Sequence, residues 1–96
     1  MKYGYARCST NESKQDIDRQ VRELKAAGAE QIFLENEHGD SAVKQELSSL
    51  LEQASEGDTI YTLEVSRLAR STKQLCEIIE TVKEKKLRLV IVGSIT

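Results

Sequence analysis

The chain has 96 residues, of which 39% are hydrophobic and 31% charged, and its formal net charge is −2 at pH 7. These values are typical of one compact soluble domain, and the acidic balance excludes a domain that holds nucleic acid on a generally basic surface. Aromatic residues make up only 4% of the chain, which argues against a stacking surface for single-stranded nucleic acid.

The first half of the chain alternates strand-like and helical patterns. Lys2 to Ala6 has tyrosines at alternate positions and predicts a strand. Apolar residues recur at helical spacing from about Lys14 to Ala27, and Gly28 is a stop signal for that helix. The apolar run within Gln31 to Glu35 predicts the second strand.

The second half repeats the alternation. A helical pattern runs from Val43 to Ala54, and Thr59 to Leu63 predicts the third strand. Ser71 opens a capping box before a third amphipathic helix, and we expect Cys76 to lie on the apolar side of that helix as a small core residue. Leu87 to Val92 is almost continuously apolar, which predicts a strand covered on both faces.

This order of elements predicts an α/β domain with a mostly parallel sheet of four to five strands and helices on both faces, as in flavodoxin-like layering. Ligands of such sheets collect at the carboxyl ends of the strands. Residues that follow the first and third strands should therefore meet at one edge of the sheet.

A serine and several arginines occupy those positions. Arg7 and Ser9 follow the first strand, and Arg67 and Arg70 follow the third. A serine hydroxyl needs activation or strong transition-state stabilisation, and guanidinium groups stabilise a phosphoryl transition state by binding two oxygens at once. The pattern predicts Ser9 as a nucleophile toward a phosphate, with Arg7, Arg67 and Arg70 as clamps.

Structural roles for the same residues remain open at this point. Ser9 would also suit a turn or a cap of the following helix, and Arg67 and Arg70, three apart, would suit a solvated helical face. Gln20 and Lys44 fit ordinary polar helix positions. There is no Walker-type loop, no Gly-x-Gly-x-x-Gly sequence and no acidic cluster with metal-ligand spacing, so we expect no cofactor and no metal.

The cellular location of the protein is predicted from its hydropathy, its amino terminus and its cysteines. No apolar run approaches the length of a membrane span, and no signal peptide opens the chain. The two cysteines match no metal-binding spacing and fit a reducing compartment. We therefore expect a cytoplasmic protein without membrane contact.

Four collinear segments resemble a known family. They are residues 3–10 (YGYARCST), 20–24 (QVREL), 56–58 (EGD) and 66–71 (SRLARS). Together they resemble the catalytic domain of the serine site-specific recombinases, the resolvase/invertase family, over nearly the whole chain.

The resemblance implies a mechanism. The serine matching Ser9 would attack a phosphodiester of double-stranded DNA, form a 5′-phosphoserine link and release a 3′ hydroxyl, without ATP, metal or cofactor. Arginines matching Arg7, Arg67 and Arg70 would surround the scissile phosphate, and the glutamine matching Gln20 would lie near the site. The full-length protein would associate into dimers and tetramers, within which strands are exchanged and rejoined.

The chain also departs from the family pattern. Ser66 stands where the family usually has Asp, and Lys44 stands where it usually has Arg, which keeps the charge but loses the planar fork. Members continue into a long dimerisation helix and a DNA-binding domain, so we expect residues 1–96 to be a catalytic domain truncated before these parts, inactive alone and weak in DNA binding. Two alternatives stay open: a non-enzymatic α/β interaction domain that docks an acidic partner, and a degenerate recombinase disabled at Ser66.

Overall fold

The structure, a computed structural model, describes residues 1–9, 14–37, 45–64, 68–69 and 71–94. Within these residues, four strands form one parallel sheet in the order β2-β1-β3-β4. Their bounds are β1 Lys2–Ser9, β2 Gln31–Glu37, β3 Thr59–Thr62 and β4 Arg88–Ile91. The predicted parallel α/β sheet is confirmed.

The helices cover both faces of this sheet. They are α1 (Lys14–Ala27), α2 (Gln45–Gln53) and α3 (Thr72–Glu84), and a short 3₁₀ helix spans Val92–Ser94. The bounds of α1 agree with the sequence prediction. The helical pattern predicted from Val43 to Ala54 corresponds to α2, although Val43 itself lies outside the described residues.

Alternate residues of β1 face two different apolar clusters. Tyr3 and Tyr5 pack into the larger cluster, which α2 and α3 close, whereas Ala6 packs with Leu24 of α1 in the smaller one. This follows from the two-residue period of a strand, which sends successive side chains to opposite faces. β1 therefore contributes side chains to both layers of the domain.

Gly4 allows α1 to lie close against β1. A methyl group added at Gly4 would stand 2.6 Å from Cδ1 of Ile32, 3.1 Å from Cβ of Ala29 and 3.3 Å from Cβ of Leu24. Contacts this short require the neighbouring groups to shift, so a side chain here would push the helix and the adjoining turn away from the sheet.

Strands β1 and β2 are longer than the sequence pattern predicts. β1 runs to Ser9 rather than ending at Ala6, because β2 pairs beside it as far as Ser9 and Glu37. Arg7 and Ser9 are thus the last residues of the strand and not the loop that follows it. Their polar side chains break the apolar alternation, so only the pairing with β2 reveals that the strand continues.

The prediction that the last strand is covered on both faces is wrong. Arg88 and Val90 of β4 are exposed, Val90 to 38%, and Leu89 and Ile91 are only partly buried. β4 lies at the end of the strand order and pairs with β3 alone among the described strands. Val90 lies beside Tyr61, which packs against the smaller apolar cluster on the α1 face of the sheet.

The capping prediction for α3 is confirmed, but the prediction for its cysteine is wrong. The side-chain oxygen of Ser71 accepts a hydrogen bond from the backbone N–H of Gln74 at 3.2 Å and caps the helix. Cys76 is exposed rather than in the core. Ile78 and Val82 define the buried face, and Cys76 lies two residues before Ile78, about 200° around the helix.

None of the helices in the described ranges is both long enough and apolar enough to cross a membrane.

The amino ends of the strands are tied together through Asp58. One carboxylate oxygen accepts from the α-ammonium group of Met1 at 2.9 Å, and the other accepts from the backbone N–H of Ser55 at 2.8 Å. The hydrogen bond from Ser55, and after it that from the terminal ammonium, holds the pKa of Asp58 below its ordinary value of 3.8.

Asp58 should therefore make the stability of the fold sensitive to acid. Because the folded-state pKa lies below that of the unfolded chain, the ionised carboxylate stabilises the fold at neutral pH, and this contribution is lost as the pH falls below about 4. We expect Asp58→Asn to lower the thermal midpoint at neutral pH and to reduce its fall between neutral pH and about pH 3.

Asp18→Asn is the matched control, because it removes the same charge from an exposed position of α1. Thermal melts followed by circular dichroism across the pH range make the comparison. An equal acid dependence in Asp58→Asn and Asp18→Asn would contradict the role of Asp58.

Candidate active site

The carboxyl edge of the sheet brings the predicted residues of β1 beside β2. Arg7 lies beside Glu35 in the strand pairing, and Ser9, described through its backbone, lies beside Glu37. The pairing of β1 with β3 ends earlier, at Tyr5 and Thr62. Arg7 and Ser9 therefore stand on a strand end that projects past β3 along the edge where ligands of parallel sheets bind.

Arg7 is a buried cation. Arg7 is only 8% exposed, although arginine is among the residues most often found at the surface. A charge at this depth requires partners, since an isolated ion loses its hydration on burial. This burial rules out the interpretation of Arg7 as an ordinary solvated surface residue. Arg7 is instead a buried residue near the end of a central strand.

The side-chain amide of Gln20 fixes the backbone of Arg7. Its nitrogen donates to the carbonyl oxygen of Arg7 at 3.2 Å, and its oxygen accepts from the N–H of Arg7 at 3.4 Å. Gln20 is 0% exposed, so the interpretation of Gln20 as an ordinary polar helix position is wrong. The pairing of β1 with β3 ends before Arg7, so the side-chain amide of Gln20 makes the two main-chain hydrogen bonds on that side.

The sequence carried a signal for this role of Gln20. The residue lies three positions after Ile17 and four before Leu24, on the same helical face of α1. A glutamine on that apolar face must find hydrogen-bond partners when the face is buried. Its partners, however, are main-chain groups of β1, which the helical pattern does not identify.

Sequence reasoning missed Glu35, a buried carboxylate beside Arg7. Its Oε1 accepts hydrogen bonds from the backbone N–H groups of Glu46 at 3.0 Å and Leu47 at 3.2 Å, and from the hydroxyl of Tyr5 at 3.4 Å. The N–H groups belong to the first turn of α2, where they have no acceptor within the helix. A carboxylate at this end of a helix accepts from them and interacts favourably with the helix dipole.

Glu35 thus joins β1, β2 and the start of α2 through one oxygen. A signal for it was present, because Glu35 lies two residues after Phe33 and therefore on the same inward face of β2. A carboxylate at an inward position of a strand predicts a polar role. Since α2 begins at Gln45, Glu35 also fixes the backbone directly after Lys44.

The remaining candidates lie outside the described residues: Lys44, Ser66, Arg67 and Arg70. The two residues between the arginines are described, and both are buried: Leu68 fully, in the larger apolar cluster, and Ala69 beside it. The chain is therefore anchored to the core between Arg67 and Arg70. The structure brings Arg7 and Gln20 together and leaves the convergence of the other arginines as a prediction.

One structural alternative for Ser9 is excluded. A serine that caps α1 would stand immediately before Lys14, where the helix begins, whereas Ser9 is the last residue of β1. The backbone of Ser9 thus ends β1 at the carboxyl edge of the sheet. With a buried guanidinium two residues earlier, the described arrangement suits the binding of an anion such as a phosphate.

Comparison with known proteins gives a consistent family. A family model described as "Resolvase, N terminal domain" matches residues 2–96. The Tn1546 transposon resolvase of Enterococcus faecium is 33% identical over 88 residues, which is 92% of this chain and 45% of that protein. A DNA-invertase of Escherichia phage P1 is 34% identical over 85 residues, which is 88% of this chain and again 45% of the relative.

A solved structure agrees in fold. The C-terminal catalytic domain of ISC1926 TnpA, an IS607-like serine recombinase, has a TM-score of 0.77 at 18% identity, covering 95% of this chain and 66% of that one. At this identity the likeness concerns the fold alone. The chain spans 45% of the length of the two relatives named above.

Removing the Gln20 amide should destabilise the end of β1. Gln20→Leu keeps the bulk but leaves the buried N–H and C=O of Arg7 without these partners, which should cost about 1–3 kcal/mol in the free energy of unfolding. Urea denaturation measures the loss, and hydrogen exchange should show faster exchange at the Arg7 amide. Gln31→Leu, at an exposed position of β2, is the control; equal effects of the two variants would refute the assignment.

Removing the Glu35 carboxylate should loosen the first turn of α2. Glu35→Ala leaves three donors without their acceptor. We expect the free energy of unfolding to fall by about 2 kcal/mol and the amides of Glu46 and Leu47 to exchange faster. Glu30→Ala is the control, because Glu30 accepts only an exposed hydrogen bond from Lys2 at 3.3 Å among those described. Unchanged exchange at Glu46 and Leu47 would show that Glu35 does not hold the helix.

Proposed function

This chain belongs to the resolvase N-terminal domain family of serine recombinases, and on that premise we propose that residues 1–96 carry the chemistry of DNA strand cleavage and rejoining in site-specific recombination. The observation that carries the proposal is the family match over residues 2–96, together with a buried Arg7 held two residues before Ser9. The substrate would be double-stranded DNA in the cytoplasm.

In the cleavage step, Ser9 is the nucleophile. Its side-chain oxygen attacks the phosphorus of a DNA phosphodiester, the new oxygen–phosphorus bond forms, and the bond to the 3′ oxygen breaks. The serine hydroxyl loses its proton and the leaving 3′ oxygen gains one. The product is a 5′-phosphoserine link, which keeps the free energy of the broken phosphodiester, so that attack by a 3′ hydroxyl can rejoin the strand without ATP.

The arginines supply the electrostatic part of the catalysis. Charge builds up on the phosphoryl oxygens in the transition state, and preorganised guanidinium groups stabilise it because they need no reorganisation when the reaction occurs. Arg7 would act from the end of β1, and Arg67 and Arg70 from the segment after β3. Burial of Leu68 and Ala69 supports this role, since it anchors the backbone that bears the two arginines.

Three further residues would support the reaction. Gln20 would hold the backbone of Arg7 in place and thereby keep Arg7 close to Ser9. Its two hydrogen bonds to the main chain of Arg7 support this role. Lys44, the residue before α2 in the sequence, would add a point charge toward the phosphate. Ser66 would stand beside Arg67 as a neutral hydroxyl, which can accept from a guanidinium but cannot balance its charge.

The assignment covers the cleavage chemistry and leaves other functions to the longer protein. Because the chain spans 45% of its relatives' length, residues 1–96 are taken as the catalytic domain, with most DNA affinity and the dimer and tetramer contacts lying in the full-length protein. The net charge of −2 agrees with weak DNA binding by this domain alone.

Replacement of the nucleophile tests the proposed function. The full-length protein is incubated with restriction fragments of the DNA that flanks its gene, and covalent protein–DNA adducts are separated on a denaturing gel. We expect Ser9→Ala to abolish the adduct, because the variant lacks the attacking oxygen, while a gel shift shows DNA binding within about twofold of the original protein.

Ser55→Ala is the control, since Ser55 lies at the opposite edge of the sheet and is exposed. It should form the adduct at the original rate. A protein that binds these fragments without forming any adduct would favour the degenerate recombinase or the interaction domain. An adduct that persists in Ser9→Ala would disprove Ser9 as the nucleophile.

A further inference from the structure

Glu64 lies just beyond β3 at the same edge of the sheet as Arg7 and Ser9. β3 ends at Thr62, the buried Leu63 follows it, and Glu64 is exposed. The family resemblance assigns no role to this residue, and the mechanism above does not use it. In the sequence it stands between the core strand and the proposed phosphate-binding residue Arg67.

The backbone on both sides of Glu64 is anchored. The buried hydroxyl of Thr62 donates to the carbonyl oxygen of Glu64 at 3.5 Å, and the N–H of Gly93 donates to the carbonyl oxygen of Leu63 at 2.7 Å. The approach at Gly93 is so close that an added methyl group would stand 2.4 Å from that carbonyl oxygen. The backbone of Leu63 and Glu64 is therefore held by hydrogen bonds from the adjoining core strand and from the 3₁₀ helix.

Arg7 and Glu64 follow the last paired residues of β1 and β3 by the same number of positions. The pairing of the two strands ends at Tyr5 and Thr62, and Arg7 and Glu64 each lie two residues further along the chain. Paired strands are about 4.8 Å apart, and long side chains that extend from neighbouring strand ends can meet across such a gap. Arg7 thus has Glu35 beside it in the pairing with β2, and Glu64 lies just past the end of β3 at the same edge of the sheet.

The two carboxylates have different surroundings. Glu35 is buried, and its Oε1 accepts from three donors that hold α2 and Tyr5. Glu64 is exposed. From residue 63 to residue 71 the sequence contains two arginines and no acidic residue besides Glu64.

We infer that Glu64 is a positioning residue for the arginines of the site, in the first place Arg7. This inference rests on the proposed function. Three guanidinium groups directed at one phosphate repel one another before DNA binds, and a carboxylate among them relieves that repulsion. A guanidinium has five N–H donors, so a carboxylate that takes two of them fixes the plane of the group and leaves three for the phosphate.

The test compares glutamate variants in the full-length protein. The single-turnover rate of adduct formation is measured at saturating protein on the same restriction fragments that the original protein cleaves. We expect Glu64→Gln to lower this rate by about tenfold while the apparent Kd for DNA and the thermal midpoint stay unchanged, because charge pairing is lost but shape is kept. Glu64→Asp, which keeps the carboxylate, should recover part of the rate.

Glu56→Gln is the matched control. Glu56 is an exposed glutamate in the turn before β3, at the opposite edge of the sheet, and its replacement changes the net charge by the same amount. It should leave the rate as it is. An equal loss in Glu56→Gln would trace the effect to overall charge, and an unchanged or faster rate in Glu64→Gln would overturn the inference.

Failure of this inference is distinguishable from failure of the proposed function. If the original protein forms the adduct, Ser9→Ala does not, and Glu64→Gln reacts at the original rate, only the role of Glu64 is lost. If the original protein forms no adduct, the proposed function and the role of Glu64 fail together.

Discussion

The main chain of Arg7 is hydrogen-bonded to the side-chain amide of Gln20, and the arrangement of the site follows from this contact. β2 pairs with β1 as far as Ser9, but β3 stops at Thr62, so the end of β1 projects with a neighbouring strand on one side only. The two hydrogen bonds from a fully buried glutamine compensate for the absent strand. They keep Arg7 and Ser9 on a continuous, extended backbone, so the strand fixes the distance between the main chains of these two residues.

Under the proposed function, the same edge of a small acidic domain would have to present cations to an anion. Overall charge gives no attraction for a phosphate, so the attraction must come from a few groups with fixed positions. Arg7 is buried, Glu35 holds the start of α2, and Leu68 anchors the chain between two further arginines. Contacts of this kind would allow a domain of this size to fix cations without a large basic surface.

Periodic features of the fold could be predicted from the sequence, and features that depend on tertiary contacts could not. The limits of α1 follow from its apolar spacing and from Gly28, and the cap at Ser71 follows from residue type. The extension of β1 through Arg7 to Ser9 depends on pairing with β2, which polar side chains do not encode. The exposure of Val90 depends on the place of β4 at the end of the strand order. The exposure of Cys76 depends on which face α3 presents to the core.

For the site, the choice of Arg7 and Gln20 agrees with their buried positions, whereas Glu35 was missed although its inward register could have identified it. The central claim is that the hydroxyl at the end of β1 becomes bonded to DNA. Tryptic digestion of a trapped protein–DNA adduct, followed by nuclease treatment and fragmentation mass spectrometry, tests it most directly. The account predicts a nucleotide on the peptide that begins at Cys8, attached at Ser9; attachment at Thr10, at Ser66 or at any other residue would contradict it.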